Sequence, residues 1–397
     1  MRRSGGCALA LTLLLAGCGG EDPDDGNRIR GDTLTIYSSG PRHGASAAAG
    51  AAVFTGQRRA LLEAGGRAGG RRIRLVRLSA TRPGDSLWDP GLVEANADRA
   101  RRDPSAIAYL GELDAGGSAV SLPVTNRAQL LQVSPLDGLT SLTKAPPGRP
   151  RAGPERYYPK RRRTFARLLP NDLVVAEGIR AQLPGRGARP AAILHGEGVA
   201  DRELTAVLVN RLRQAGAEPT FVEVLRDDVD AVQSTIRRLA ASGPAAVVVL
   251  ATHGPATTAA LAALARREPP VKVVGNEALL GEDSPPPSAD LRAVTPVLPS
   301  RVQSPAGRRV LADISRGSGV RSRPEALYGY AAMRLVLAAI DRAGPDRRQV
   351  VQATRSAGTR NTVLGRLSLD GDGDVRTRRL GVLRVRGGRS VLERVLP

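Results

Sequence analysis

The feature that most constrains this chain is a repeating pair: a short aliphatic and β-branched run, then a longer amphipathic stretch. Val247-Val248-Val249-Leu250 offers no residue suited to face water. A strand of that kind belongs in a sheet covered on both faces, the usual setting of parallel strands. Similar runs fall at 33–37, 73–78, 106–110, 191–195, 220–224, 271–275 and 291–295. Between them apolar residues return at helical spacing. Ala48, Ala51, Ala52, Thr55 and Leu62 share one stripe, which Gly65-Gly66 ends. Further helical patterns lie near 91–102, 171–183, 201–215, 229–241, 256–267 and 325–343. This alternation predicts an α/β fold with mostly parallel sheets.

The alternation breaks over Thr143–Arg163, where Pro146, Pro147, Gly148, Pro150, Gly153 and Pro154 precede Lys160-Arg161-Arg162-Arg163. The stretch reads as a long loop between two α/β arrays, and 397 residues are enough for two lobes. Ligands of such sheets sit beyond the carboxyl ends of the strands, so the cleft between lobes is the expected site.

The N-terminus addresses the compartment. Met1-Arg2-Arg3, an apolar run over 8–16 and Gly17-Cys18 describe a secretory signal. The run is shorter than the roughly 20 residues a membrane-spanning helix needs. Leu15-Ala16-Gly17-Cys18 resembles the lipobox of bacterial lipoproteins, which implies removal of residues 1–17 and lipidation of Cys18. Such a chain is anchored to the outer face of the cell membrane. Residues 18–32, with Glu21, Asp22, Asp24 and Asp25, then form an acidic tether. Cys7 falls within the signal, so the only other cysteine is lost with it.

Several chemistries lack their residues. Two cysteines exclude a disulfide framework and a four-Cys zinc site, and the three histidines are scattered at His43, His195 and His253. There is no G-x-S-x-G elbow and no phosphate-binding G-x-x-x-x-G-K-[ST] loop. No enzyme activity, metal or cofactor is expected. Lys+Arg number 59 against 38 Asp+Glu, a net charge of +21, and only three of the basic residues are lysine. Only three Phe and one Trp accompany this charge, too few for the stacking platforms of a single-strand binder, so no nucleic acid partner is expected. Asp370-Gly371-Asp372-Gly373-Asp374 has the look of a calcium loop, but Val375 and Gly381 stand where an EF-hand needs Gly and Glu. The segment reads instead as a Gly-rich turn joining strands at 362–369 and 378–386.

Taken in order, the motifs resemble the type I periplasmic binding proteins, above all the leucine/isoleucine/valine-binding branch that serves ABC importers. The passages are Ile36-Tyr37-Ser38-Ser39-Gly40-Pro41, Glu63-Ala64-Gly65-Gly66 with Gly70-Arg71-Arg72-Ile73, and Tyr109-Leu110-Gly111-Glu112. They continue with Gln132-Val133-Ser134-Pro135, Thr164-Phe165-Ala166-Arg167 with Asn171-Asp172, and Thr362-Val363-Leu364-Gly365 with Asp370, Gly373 and Asp374. The resemblance implies two Rossmann-like lobes joined by three crossings and closing on a solute by hinge motion. It places the N-lobe at 33–165 plus about 297–345, and the C-lobe at 166–296 plus about 346–397.

The resemblance also implies a site. His43 falls where the family often has an aromatic residue over the side-chain pocket. Ala115 and Gly116 fall at the turn that holds an α-carboxylate, without its serine hydroxyl. Leu136 and Gly138, after Ser134, fall where a carbonyl and a threonine meet the ligand, and the threonine is missing. Ala200 and His253 replace two ligand-contacting tyrosines, and Glu277 matches the acid that pairs with the ammonium. The expected function is a lipid-anchored solute-binding protein for a small polar, amino-acid-like solute, docking on an ABC permease. A sensory receptor uncoupled from transport and a surface-adhesive lipoprotein are the alternatives on the same scaffold.

Overall fold

The computed structural model describes residues 26–85, 87–184, 191–226, 228–251, 254–280, 290–318, 322–386 and 389–397. The signal, the acidic residues of the tether, Cys18 and His253 lie outside them.

The first lobe runs β1 (Thr33–Gly40), α1 (Ala47–Glu63), β2 (Arg67–Ala68), β3 (Arg71–Ser79), α2 (Pro90–Arg102), β4 (Ala106–Leu110), α3 (Ser118–Arg127), β5 (Leu131–Ser134) and β6 (Phe165–Arg167). The second runs α4 (Asp172–Arg180), β7 (Ala191–His195), α5 (Val199–Gln214), β8 (Phe221–Val224), α6 (Val229–Ala241), β9 (Ala246–Leu250), α7 (Pro255–Ala265), β10 (Lys272–Asn276) and β11 (Leu291–Thr295). The remainder is α8 (Pro305–Ser318), α9 (Glu325–Ala343), α10 (Arg347–Arg355), the small hairpin β12 (Arg360–Thr362) and β13 (Gly365–Leu367), β14 (Leu380–Arg386) and β15 (Arg389–Leu396).

Two large sheets result. One has the order β2-β3-β1-β4-β5-β6, the other β15-β14-β11-β10-β9-β7-β8. Pairing is parallel apart from the β2–β3 hairpin and the antiparallel additions of β14 and β15. Every residue of β4 and β9 is buried, as their unbroken apolar sequences require. Local signals set the helix starts. Asp89 caps α2 by accepting the Leu92 N–H at 2.7 Å, with Pro90 as the first helical residue. Asp346 does the same for α10 through the Gln349 N–H.

The chain crosses between lobes after β6, after β11 and once more near its end. The sequence reading placed the third crossing near 345. It falls instead after Val375, because α10, Val363, Leu367 and Val375 share the core of the first lobe with Ile36, Leu110 and Val133. Only β14 and β15 return to the second sheet. An amphipathic helix records that it covers an apolar surface but not which one, and α10 covers the first lobe.

Two of the crossings, the one after β6 and the one near the end, meet at a buried cation. Arg167 ends β6, is wholly buried, and donates to the carbonyls of Asp137 (3.0 Å) and Leu139 (2.9 Å) and to Thr143 Oγ1 (2.9 Å). Its Nε lies 2.8 Å from Asp374 Oδ1. Asp374 Oδ2 accepts from Asn171 Nδ2 at 2.8 Å and from Thr143 at 3.1 Å. Lys144 Nζ lies 2.7 Å from Asp370 Oδ2. The acidic 370–374 segment is therefore a turn closed by the protein's own cations. Among the described residues no group of His, Cys, Asp and Glu is placed to hold a metal, and no helix is long and apolar enough to cross a membrane.

Helices α1 and α9 cover the first sheet by crossing at backbone distance. A Cβ on Gly329 would sit 2.0 Å from the Val53 carbonyl oxygen, and one on Gly56 would sit 1.8 Å from that of Ala326. Gly329→Ala forces the helices apart and is expected to cost about 1–3 kcal/mol, read as a lower urea midpoint at unchanged m. Gly358→Ala, whose Cβ meets open space, is the control and should move stability by less than about 0.5 kcal/mol.

Candidate functional site

The segment that follows β5 in the first lobe meets α4 and α5 of the second, through Gly138 with Asp172 and Ser141 with Glu203. In parallel sheets such carboxyl-end loops are where a binding surface forms.

The β4–α3 loop is the most constrained. Gly116 has φ +89°, a conformation that favours glycine, and this turns the backbone so that its N–H and that of Ser118 point the same way. Such paired N–H groups at a helix start form a ready anion site. A protein carboxylate already holds this one. Asp137 Oδ1 accepts from Gly116 N–H at 3.2 Å and from Leu139 N–H at 3.1 Å, and Oδ2 accepts from Ser118 N–H at 3.0 Å. Asp137 is wholly buried.

Ser134 is committed to the same loop. Its hydroxyl donates to the Glu112 carbonyl at 2.7 Å and accepts the Asp137 N–H at 2.8 Å. Beneath the loop, Glu112 accepts from Tyr109 OH at 2.6 Å and from Ser39 Oγ at 2.7 Å. Burial outweighs these bonds and pushes its carboxyl up to about 7.

The second lobe brings more acids. Asp172, the first residue of α4, donates its N–H to the Gly138 carbonyl at 2.9 Å. Its carboxylate lies 2.9 Å from where a Gly138 Cβ would stand. No hydrogen bond or ion pair satisfies that carboxylate among the described residues. Burial raises its pKa well above the ordinary value, and the negative charges of Glu203, Asp137 and Glu277 add to the effect while Arg167 opposes it. Glu203, on α5, accepts the Ser141 N–H at 2.7 Å and so bridges the lobes directly. Glu277, in the turn after β10, has its Oε2 sealed from solvent without a hydrogen-bond donor. Burial pushes this carboxyl up to about 7, Thr295 opposes the shift, and the charge of Glu325 on α9 adds to it.

The residues expected from sequence thus divide. Gly116 adjoins Asp137, Gly138 adjoins Asp172, and Glu277 lies within electrostatic reach of Asp172. Ala115 is on the exposed side of the β4–α3 turn, and Leu136 is half-buried against the first-lobe core. His43 is exposed; its backbone N–H, with that of Arg42, holds Thr81 Oγ1. Ala200 packs against the apolar cluster of Leu122, Leu139 and Tyr157. Asp137, Asp172 and Glu203 escaped the sequence reading as site residues. Asp137 lies between Leu136 and Gly138, and Asp172 closes the motif at the lobe crossing. Trp88, the single tryptophan, was also missed. Its Cζ2 lies 3.9 Å from the Cβ position of Gly116, beside the same turn.

A surface groove of about 1490 Å³ lies elsewhere. It lies between the Arg161–Arg163 loop and α10, with Arg28 and Arg355 on its walls. The exterior groove is basic and the interlobe face acidic.

The sequence profile of the periplasmic binding protein family matches residues 34–389. No curated protein matches the chain. Among solved structures, a leucine-binding protein LivK of Thermotoga maritima is 18% identical with a TM-score of 0.73, the match covering 91% of this chain and 98% of that one. A solute-binding protein of an ABC transporter from R. palustris in complex with benzoate gives 17% identity and a TM-score of 0.70, covering 91% and 96%. An ABC transporter substrate-binding protein from Desulfitobacterium hafniense in complex with Leu gives 16% and 0.71, covering 91% and 99%.

Glu112 and Glu277 both bind a proton more readily in the folded chain than in the unfolded one. The stability they contribute is therefore full below about pH 4.5 and is lost as pH rises through about 7, on the order of 3 kcal/mol for each group. Urea midpoints of the solute-free protein are expected to fall between pH 5 and pH 8. Glu277→Gln should flatten that slope by its share.

Proposed function

The chain belongs to the type I periplasmic binding proteins, and from that membership we propose that it is the lipid-anchored receptor of an ABC importer for a small, polar, amino-bearing solute. It works outside the cytoplasm and binds rather than transforms its ligand. The observation that supports the receptor role most directly is the meeting of the β4–α3 and β5 loops of one lobe with Asp172, Glu203 and Glu277 of the other. Residues from both lobes that share one face give a solute a reason to hold the lobes together. Closure around it is then a population shift driven by contacts made only in the closed form.

The anchor is assigned to Cys18 on the lipobox-like Leu15-Ala16-Gly17-Cys18. More than one acyl chain gives lasting membrane attachment, at about 0.8 kcal/mol for each buried CH₂. The amino-bearing character of the solute rests on Glu277, an inner carboxylate oxygen with no donor of the protein's own. A permease partner follows from the receptor role, with the closed form as the docking species.

Two outcomes test this. Replacing Cys18 by Ser should move the protein from the membrane fraction to the soluble extracytoplasmic fraction; retention at the membrane would remove the anchor assignment. The cognate solute should lower the radius of gyration in small-angle scattering and raise the melting midpoint by several degrees at 100 times its Kd, where linkage supplies about 2.7 kcal/mol. A bound solute that leaves the radius unchanged would overturn closure as the mode of capture.

A further inference from the structure

We propose that the interlobe site takes a small organic cation without a carboxylate, an alkyl diamine or a guanidino-amine, because Asp137 occupies the anion-binding β4–α3 turn and the described residues of the opposing lobe closest to it include the acids Asp172 and Glu203. The inference rests on the receptor reading above and narrows its solute class.

The turn comes first. Ligands with an α-carboxylate need free donors, and the backbone pair best suited to supply them is Gly116 N–H and Ser118 N–H. Both donate to Asp137, at 3.2 and 3.0 Å. A third N–H, from Leu139, completes the arrangement, and the Asp137 side chain is wholly buried. Displacing it would expose a buried carboxylate to the incoming one. Two like charges in a poorly solvated space repel strongly, so the turn rejects carboxylates instead of attracting them.

The facing groups point the same way. The half-buried Asp172 makes no hydrogen bond or ion pair through its carboxylate among the described residues, and Glu277 keeps one oxygen sealed from solvent with no donor. Asp172 lies within the electrostatic reach of Glu203, Asp137 and Glu277. The buried cation near them, Arg167, already serves two carbonyls, Thr143 and Asp374. An incoming ammonium or guanidinium would give these acceptors the donors they lack. Trp88 stands beside the turn, 3.9 Å from the Gly116 Cβ position, and an indole face is the best aromatic partner for a cation.

Two matched pairs of probes isolate the carboxylate: agmatine against arginine, and cadaverine against lysine. Leucine and benzoate complete the set. Calorimetry and small-angle scattering on the mature chain should show at least tenfold tighter binding, with closure, for one or both decarboxylated members over their amino acids. Asp137→Ala frees the turn and should erase or reverse that preference. Should that variant fail to fold, Asp172→Asn serves, since it removes a carboxylate without a protein partner. It should leave the solute-free melting point unchanged or higher and weaken the amine at least tenfold. Arginine or lysine binding as tightly as its decarboxylated partner overturns the inference. So does closure on leucine or benzoate with silence from the amines, and this outcome leaves the receptor reading standing. Closure on none of the six removes both.

Discussion

A single guanidinium sealed from water ties the ends of two interlobe crossings to the first lobe. A buried charge is tolerated only when its hydrogen-bonding capacity is met, and removing any partner leaves a desolvated ion. Arg167 meets that demand with groups from three places in the chain: the β5 loop, Thr143 and the returning Asp374. The first of these carries Asp137, so the geometry of the anion turn is fixed through Arg167 as well as through Gly116. The last is 207 residues away in sequence, so the C-terminal segment is positioned by the same ion. Asn171, one residue before Asp172, is tied into the network by its own bond to Asp374. The acid that faces the first lobe is thereby set by a cation belonging to that lobe.

Much of the scaffold was legible because buried parallel strands write themselves as unbroken apolar runs. β4, β7 and β9 are fully buried and their runs are continuous. β5 and β6 were harder to read as strands, although both lay within noted motifs. They are short and contain Gln132 and Arg167, polar residues that belong in the interior only because Thr125, Ser121, the Gly111 carbonyl and Asp374 satisfy them. β15 has no buried residue and so shows no such run. The lobe that α10 covers was illegible for the reason given above: its pattern names a face and not a partner.

The site was legible to a similar degree and for related reasons. Gly116, Gly138 and Glu277 follow strands at offsets that a family resemblance can supply. Asp137 looked like one more loop acid. Its meaning comes from three N–H donors at three points of the chain, and no local pattern encodes such a convergence. Net charge misleads in the same way. The chain carries +21, yet the interlobe face is acidic, because a sum over residues says nothing about which side chains share a desolvated space. Arginines on the exterior groove act over a Debye length of about 8–10 Å in ordinary salt and do not govern chemistry inside the cleft.

The late third crossing has a consequence for how the chain acquires its structure. The first sheet is complete at Arg167, but its cover, α9 and α10, is made only after the whole second array has been synthesised. The second sheet in turn waits for β14, which pairs with β11 across 84 intervening residues. Neither lobe has its full set of strands and covering helices until segments near the end of the chain are present. Contacts of such sequence separation slow the search for the native state.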